Sequence, residues 1–587
     1  MEIFSANSVA CREKAAELNS SNAAKIPSNL EDFIGELAST DVPRLLIESC
    51  SPDRTVAALR DILSESGLYE RGMPVRLVFD GQQNRITSEP ITADALVLLI
   101  HQICRPYALK RARDGSSQVV NKRLPIDLAV MYLEWRGNWN LPVLKGISST
   151  PMLTDDGSIS STNGYDSFSK MWVETSAQLV GLVPDRATRA DALAALALIR
   201  STFSTFPFAD ATTLNNSIAG PATVDLSKPP GMDESSFVAA LMTSVCRPSL
   251  DFAPGILLRA PPISGSGAGK GLLARCLCII AFGREPHAIT AGAGTAEIEK
   301  RIASELMEAN QVLFLDNLNN VTFRSDLMAS VMTEKPSRVR LLGKSTMMTL
   351  NSSAFVILTG NGLRISEDLA RRFIAIDLDA RTEDPETRRF NNDIRAEVMN
   401  QRDKLLGAVL TIWRWGRQAQ DIQRGRPLGG FERWCRWVRD PLIDLGCQDP
   451  TNRIGETKRR DSKRRHIAEL FEVWWDKHRD CPVSAFKLHD DVKLLADPQL
   501  SGRQFLTAYL EKLAGTRSNG FVLFREESLG KWSPATYRLE RSGDDTHGAH
   551  RGHEIDSQSM IPMTPMLLEP PANDSDLSCK TSTEDPR

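Results

Sequence analysis

Residues 264–271 read Ser264-Gly-Ser-Gly-Ala-Gly-Lys-Gly271, between the apolar triplet Ile256-Leu-Leu258 and the apolar run from Leu272 to Phe282. The triplet reads as a strand and the run as a helix, so the glycines fall at a strand-to-helix turn. There, successive small residues let backbone N–H groups turn inward around a phosphate. The helix N-terminus adds favourable partial charge, and a lysine neutralises phosphate oxygens. The stretch predicts an ATP-binding P-loop formed by Ser264, Gly265, Ser266, Gly267, Ala268, Gly269, Lys270, Gly271 and Leu272. Two positions depart from the pattern G-x-x-x-x-G-K-[ST]: Ser264 replaces the first glycine, and Gly271 replaces the hydroxyl residue that ordinarily ligates Mg2+.

Downstream, Val312-Leu-Phe-Leu-Asp316 has the form of a buried strand ending in a carboxylate. Beside the P-loop strand, it would bring Asp316 to Mg2+ directly or through water. Thr359-Gly-Asn361 ends the next strand, Phe355-Val-Ile-Leu-Thr359, where the Asn361 amide could orient an attacking water. Arg371-Arg372, after a helix start at Ser366, supply a candidate charge clamp for the transition state across a subunit interface. Ile298, Ile302 and Leu306 recur every four residues, one face of a helix between the two sites. Helices alternating with short apolar strands argue for an α/β domain with a mainly parallel sheet.

The order Lys270, Asp316, Asn361, Arg371 or Arg372 resembles that of AAA+ ATPases of the superfamily 3 helicase type. It resembles more narrowly the primase-helicase-like proteins of prophages, plasmids and integrative elements. The phrases Gly269-Lys-Gly-Leu-Leu-Ala274, Leu315-Asp-Asn317, Leu342-Gly-Lys-Ser345 and Asp368-Leu-Ala-Arg-Arg372 carry the likeness. The resemblance implies a homo-oligomeric ring that uses ATP and Mg2+ to move on or melt DNA, single-stranded or at an origin. It also implies a hairpin between the Asp316 and Asn361 strands whose basic residues touch DNA. Lys335, Arg338, Arg340 and Lys344 lie in that interval, and phosphate contacts there would weaken steeply with salt. Where most members of the wider class carry an acid after the strand-end aspartate, this chain has Asn317, which positions water but accepts no proton. Glu297 is a substitute base to consider. Some relatives carry a fused primase, but the first domain has no D-x-D after an apolar strand. Asp80 stands alone and Asp155-Asp156 sits in a Gly-Ser turn, so a primase or polymerase is expected as a separate partner.

At 587 residues the chain exceeds one hydrophobic core, and 41% hydrophobic with 25% charged residues is ordinary for a globular protein. No run approaches the roughly 18 to 20 apolar residues of a membrane span, and no signal sequence opens the chain, so no membrane partner and a cytoplasmic location are expected. Ten cysteines without C-x-x-C spacing read as free thiols, and His547, His550 and His553 as incidental tail residues. The net charge of -3 hides opposed ends. Residues 453–465 carry seven basic and two acidic side chains, whereas residues 542–587 carry nine acidic and three basic. The expected architecture is a multidomain α/β chain. Its parts are a flexible arm (1–27), an N-terminal α+β domain (28–233), the AAA+ core (234–384), a helical region with the basic segment (385–465), a winged helix (466–540) and a disordered acidic tail (541–587).

The winged helix is read from three helical stretches followed by two strands, Phe521 to Phe524 and Thr536 to Leu539, joined through Gly530-Lys531-Trp532. Phe505, Leu506, Tyr509, Leu510 and Leu513 form its expected buried stripe. Arg503, Gln504, Thr507, Lys512 and Lys531 are its expected DNA contacts, although such modules also dock proteins. Three functions therefore stand open: an ATP-driven DNA helicase or translocase of a mobile element; an ATP-dependent DNA-binding initiator or switch with weak hydrolysis, which Asn317 and Gly271 favour; and a small-molecule kinase, which Asn361 and the large C-terminal region disfavour.

Overall fold

Strands that are apolar on consecutive residues must be covered on both faces, and the middle of this chain solves that requirement with one parallel sheet. The computed structural model describes residues 42–541 apart from 82–83, 114, 215–221, 291–293, 341–346, 391, 460–461 and 527–533. The core elements, in chain order, are α1 (Met232–Cys246), β1 (Gly255–Ala260), α2 (Lys270–Phe282), β2 (Ala288–Thr290), α3 (Thr295–Met307), β3 (Val312–Asp316), β4 (Phe355–Asn361) and β5 (Phe373–Asp377). The sheet order is β2-β3-β4-β1-β5, every neighbour parallel.

Alternation along each strand divides the interior in two. Ile256, Leu258, Phe314, Phe355 and Ile357 enter one cluster with α1 and α2; Leu257, Leu313, Leu315, Val356 and Leu358 enter the other with Ile298, Ile302 and Leu306 of α3. The first cluster also takes Leu196 from the helix Arg189–Thr202, Phe206, and Trp413 from α4 (Arg402–Gln418). Residues on both sides of positions 233 and 384 thus share one core. Cys276 and Cys278 are buried free thiols within it, as their place in an apolar helix suggests.

The N-terminal part is α+β. A hairpin forms between Pro74–Asp80 and Arg85–Pro90, and a second small sheet orders Arg44–Leu46, Arg105–Arg111 and Ser117–Asn121. Leu59, Leu96, Ile100 and Tyr132 from three helices build its core. Asp155 and Asp156 do occupy a turn: Asp155 accepts from the Trp437 indole at 2.7 Å, and Asp156 from the Ser158 amide at 3.0 Å.

The chain divides into two compact units, 1–467 and 468–587. The helices that follow the core are α5 (Asn452–Arg459), α6 (Ser462–His478), α7 (Asp490–Ala496) and α8 (Arg503–Leu513). The second unit continues from α6 through α7 and α8 with an antiparallel sheet. Its strand order is Val483–Ser484, Thr536–Arg541, Phe521–Glu526, Arg517–Ser518. The expected arm, tail and wing tip with Lys531 lie outside the described residues. Among the described residues no helix is long and apolar enough to cross a membrane.

A buried ionic network closes the carboxyl ends of β1 and β5. Arg259 pairs with Asp377 through two bonds of 2.7 and 3.0 Å. The fully buried Asp233 accepts the Asp377 amide at 2.9 Å and meets the Arg453 guanidinium of α5 at 2.5 Å. Removing one member strands the others in a dry interior. Asp233→Ala should therefore destabilise the first unit by about 3 kcal/mol, seen as a lower urea midpoint. Glu89→Ala, which breaks the exposed Arg76 pair, should leave the midpoint nearly unchanged.

Candidate functional site

The loop between β1 and α2 is shaped by crowding. A Cβ at Gly265 would lie 2.2 Å from the Pro261 carbonyl oxygen, so no larger residue fits without moving backbone. Gly267 and Gly269 are left-handed, at φ 71° and 99°, a conformation that glycine adopts without steric cost. The first amides of α2, at and after Lys270, have no partner inside their helix and face the loop. Lys270 is half-buried: its ammonium donates to the Gly265 carbonyl at 2.7 Å and to Asn361 Oδ1 at 2.5 Å. Burial lowers its pKa, against the opposing pull of Asp316.

The strand that ends in Asp316 does not lie beside the loop strand, contrary to expectation; β4 runs between them. Asp316 nevertheless comes close to the loop, because α2 starts over the carboxyl end of the sheet. A Cβ at Gly271 would lie 3.7 Å from its Oδ2. Its Oδ1 accepts from the Thr359 hydroxyl and, at 3.1 Å, from the Asn317 amide. Asn317 is exposed and left-handed, φ 62°, which short polar residues tolerate. Asn361, at the end of β4, also donates its amide to Asn319 Oδ1 at 2.8 Å.

The structure therefore gathers Lys270, Gly271, Asp316, Asn317 and Asn361 at one end of the sheet. The remaining nominees stand apart. Glu297 is half-buried and pairs along its own helix with Lys300 at 3.4 Å and Arg301 at 3.7 Å. Arg372 is buried and held by Asp368 at 2.7 Å; Arg371 is exposed and meets the same carboxylate at 3.3 Å. Of the pair, Arg371 is the side chain placed to reach outward.

A cavity of about 710 Å3, within the size range of small-molecule sites, opens beside Gly267, Ala268 and Gly269. Phe206, Pro207, Phe390 and Ile394 give it apolar walls, and Arg388 and Arg395 give it charge. Arg388 donates to the Gly267 carbonyl at 3.2 Å and lies over the Phe390 ring at 5.2 Å. The sequence reading missed these residues. Phe206 is carried to the loop by the pairing of Phe208 with Leu378, a long-range contact that no local pattern announces.

The residues around Asp316 fit a divalent metal poorly. Gly271 offers no hydroxyl, one Asp316 oxygen already has two donors, and the other faces the Arg275 guanidinium at 3.8 Å. Among the described residues no group of three His, Cys, Asp or Glu could hold a metal ion.

The basic residues expected to touch DNA are dispersed. Arg338 and Arg340 lie on exposed positions of the hairpin Ser337–Arg340 with Met347–Leu350; Lys344 falls outside the described residues. Lys335 is a correction. It is not an exposed hairpin residue but has its amine over the Phe252 ring at 5.7 Å and 3.5 Å from the Leu250 carbonyl. On α8, Gln504 and Lys512 are exposed, Thr507 bonds back to the Arg503 carbonyl at 2.9 Å, and Arg503 lies over Phe486 at 5.1 Å. Phe505, expected in the core, is 47% exposed. Leu506, Leu510 and Leu513 define the buried face, and Phe505 is turned about 100° from Leu506. Tyr509 is half-buried and stacks parallel to Phe505 at 6.3 Å.

No family model and no curated protein matches the chain. Two solved structures align over most of it. One is an apo form of the C-terminal region of NrS-1, at 12% identity and a TM-score of 0.31, covering 82% of this chain and 98% of that one. The other is described as SCCmec type IV Cch, an active helicase, at 11% identity and a TM-score of 0.30, covering 80% and 93%. Likeness at this level assigns no site.

Burial of Lys335 has a measurable consequence. It lowers the amine from 10.5 to about 7, with Arg247 adding to the effect. Between those values the unfolded chain binds the proton and the folded chain does not, so stability rises with pH across that window. Urea midpoints should increase from about pH 7 toward 9, by at most about 1.4 kcal/mol per pH unit from this group. Lys335→Met should remove that share of the slope.

Proposed function

We propose that the chain binds ATP on the loop from Ser264 to Leu272 and works as an AAA+ type DNA helicase or translocase in the replication of a mobile element. The observation that carries the nucleotide part is the convergence of Lys270, Asp316 and Asn361 at the carboxyl end of a parallel sheet, beside the cavity of about 710 Å3. Ligands of open α/β sheets bind at that end.

In this reading the loop amides and Lys270 take the phosphates, and Phe206 and Phe390 flank the base. Lys270 exchanges its bonds with Gly265 and Asn361 for phosphate oxygens, which frees the Asn361 amide to orient water at the terminal phosphate. Arg371 completes the site of a neighbouring subunit in a ring. The DNA part rests on the resemblance of the motif order, on Arg338 and Arg340 in the hairpin, and on the α6–α8 and four-stranded arrangement of the second unit. We read that arrangement of helices and antiparallel strands as a winged helix. A separate primase or polymerase would supply the primer.

A second reading, an ATP-dependent initiator or switch with weak turnover, is favoured by Asn317, whose exposed amide stands where a proton acceptor would be needed. ATP hydrolysis measured with and without single-stranded DNA tests both. Lys270→Ala should abolish nucleotide binding and DNA-stimulated turnover; retention of both would sink the proposal. Asn317→Asp adds a carboxylate on a residue type that tolerates the left-handed backbone. About tenfold or greater acceleration by it would identify the missing base as the limit on turnover.

A further inference from the structure

Gly271 removes a hydroxyl from the metal side of a phosphate site. The structure shows what has taken the vacated space. Arg275 lies one turn along α2, and helical side chains lean toward the N-terminus over the residue four places earlier. Its Nη1 donates to the Gly271 carbonyl at 3.0 Å and sits 2.9 Å from where a Cβ at position 271 would be. A serine or threonine there would collide with this guanidinium.

Arg275 is held on several sides. Its Nε meets Glu285 at 3.3 Å, its Nη2 approaches Asp316 Oδ2 at 3.8 Å, and its guanidinium lies over the Phe314 ring at 5.4 Å. It also lines the cavity next to Gly267, Ala268 and Gly269. A positive charge thus stands beside the second oxygen of the Asp316 carboxylate and at the wall of the cavity next to the loop. A divalent cation bound to Asp316 would have to share that space with a guanidinium, and like charges at such separation in a half-buried site repel strongly. Mg2+ also requires six oxygen donors in near-ideal geometry, and here the hydroxyl donor is missing and one carboxylate oxygen is engaged.

From this we infer that Arg275 takes the place of the metal as the phosphate counter-ion, so that the loop binds ATP without Mg2+. A guanidinium presents planar, paired N–H donors that match phosphate oxygens, and Lys270 contacts the same loop through the Gly265 carbonyl. The inference rests on the reading of the loop as a nucleotide site and specifies how that site meets the triphosphate charge. It also gives weak turnover a cause: a guanidinium stabilises bound phosphates but does not lower the pKa of a water as a metal does.

The test is equilibrium titration of the full chain with a fluorescent ATP analogue, once with Mg2+ and once with EDTA. Wild type should bind with dissociation constants within about threefold of each other. Arg275→Gln should lose about tenfold or more in EDTA and regain affinity with Mg2+, while Arg275→Lys keeps most of the EDTA binding. The double variant Gly271→Ser with Arg275→Gln should be more metal-dependent than either parent. Circular dichroism establishes that each variant is folded. A wild type that loses about tenfold or more in EDTA, or an Arg275→Gln variant that binds in EDTA as wild type does, overturns the inference and leaves ATP binding standing. Binding in neither condition overturns both.

Discussion

The bond from Lys270 to Asn361 joins the two halves of the site. It ties the first residue of α2 to the last residue of the strand beside β1, and it works because the sheet is parallel. Parallel strands present all their carboxyl ends on one edge, so residues that end different strands become neighbours although they are far apart in sequence. Gly265 and Gly360 permit the approach: a Cβ on either would come within 2.2 Å of a backbone oxygen. The Asn361 main chain in turn holds the turn after β3, accepting from Asn320 at 2.8 Å and donating to Asn319. Loop, strand end and asparagine turn are thus one hydrogen-bonded assembly, and Asp316 is oriented within it by Thr359.

Much of this was legible from local pattern. The strand-loop-helix signal at 256–282, the buried strand ending in Asp316 and the strand ending in Asn361 depend on residue spacing within single elements, and each is present. What depends on order among elements was not legible. Nothing in Val312-Leu-Phe-Leu-Asp316 reveals that β4 intervenes between it and β1, because buried parallel strands carry the same apolar composition wherever they sit. The cavity walls come from Phe206, Pro207, Arg388, Phe390 and Ile394, which flank the core in sequence and fall in other domains of the expected architecture. Phe505 and Lys335 show a different limit. Residue type misled at both: an aromatic was given to the core though its angle on α8 places it outside, and a lysine to the surface though Phe252 and Leu250 enclose it. Gly271 with Arg275 was present as an i, i+4 pair, but only their contact in space connects the missing hydroxyl to the added charge.

The departures from the motif pattern that the sequence resembles are coherent once they are placed together. Gly271 removes a metal ligand, Arg275 fills the opening with positive charge, and Asn317 offers an amide where a base would stand. In the proposed reading each change leaves phosphate binding intact or strengthens it, and each withdraws something that hydrolysis uses. Gly265 is crowded and Gly267 and Gly269 are left-handed, the backbone a phosphate cradle uses, and no carboxylate of the described residues lies within bonding distance of the half-buried Lys270. A half-buried ammonium whose hydrogen bonds among the described residues go to neutral oxygens is a costly arrangement, offset in part by the charge of Asp316, and in the proposed reading an arriving phosphate relieves it. On that reading the energetic balance of the site tilts toward holding nucleotide, with turnover dependent on groups that this chain supplies weakly on its own.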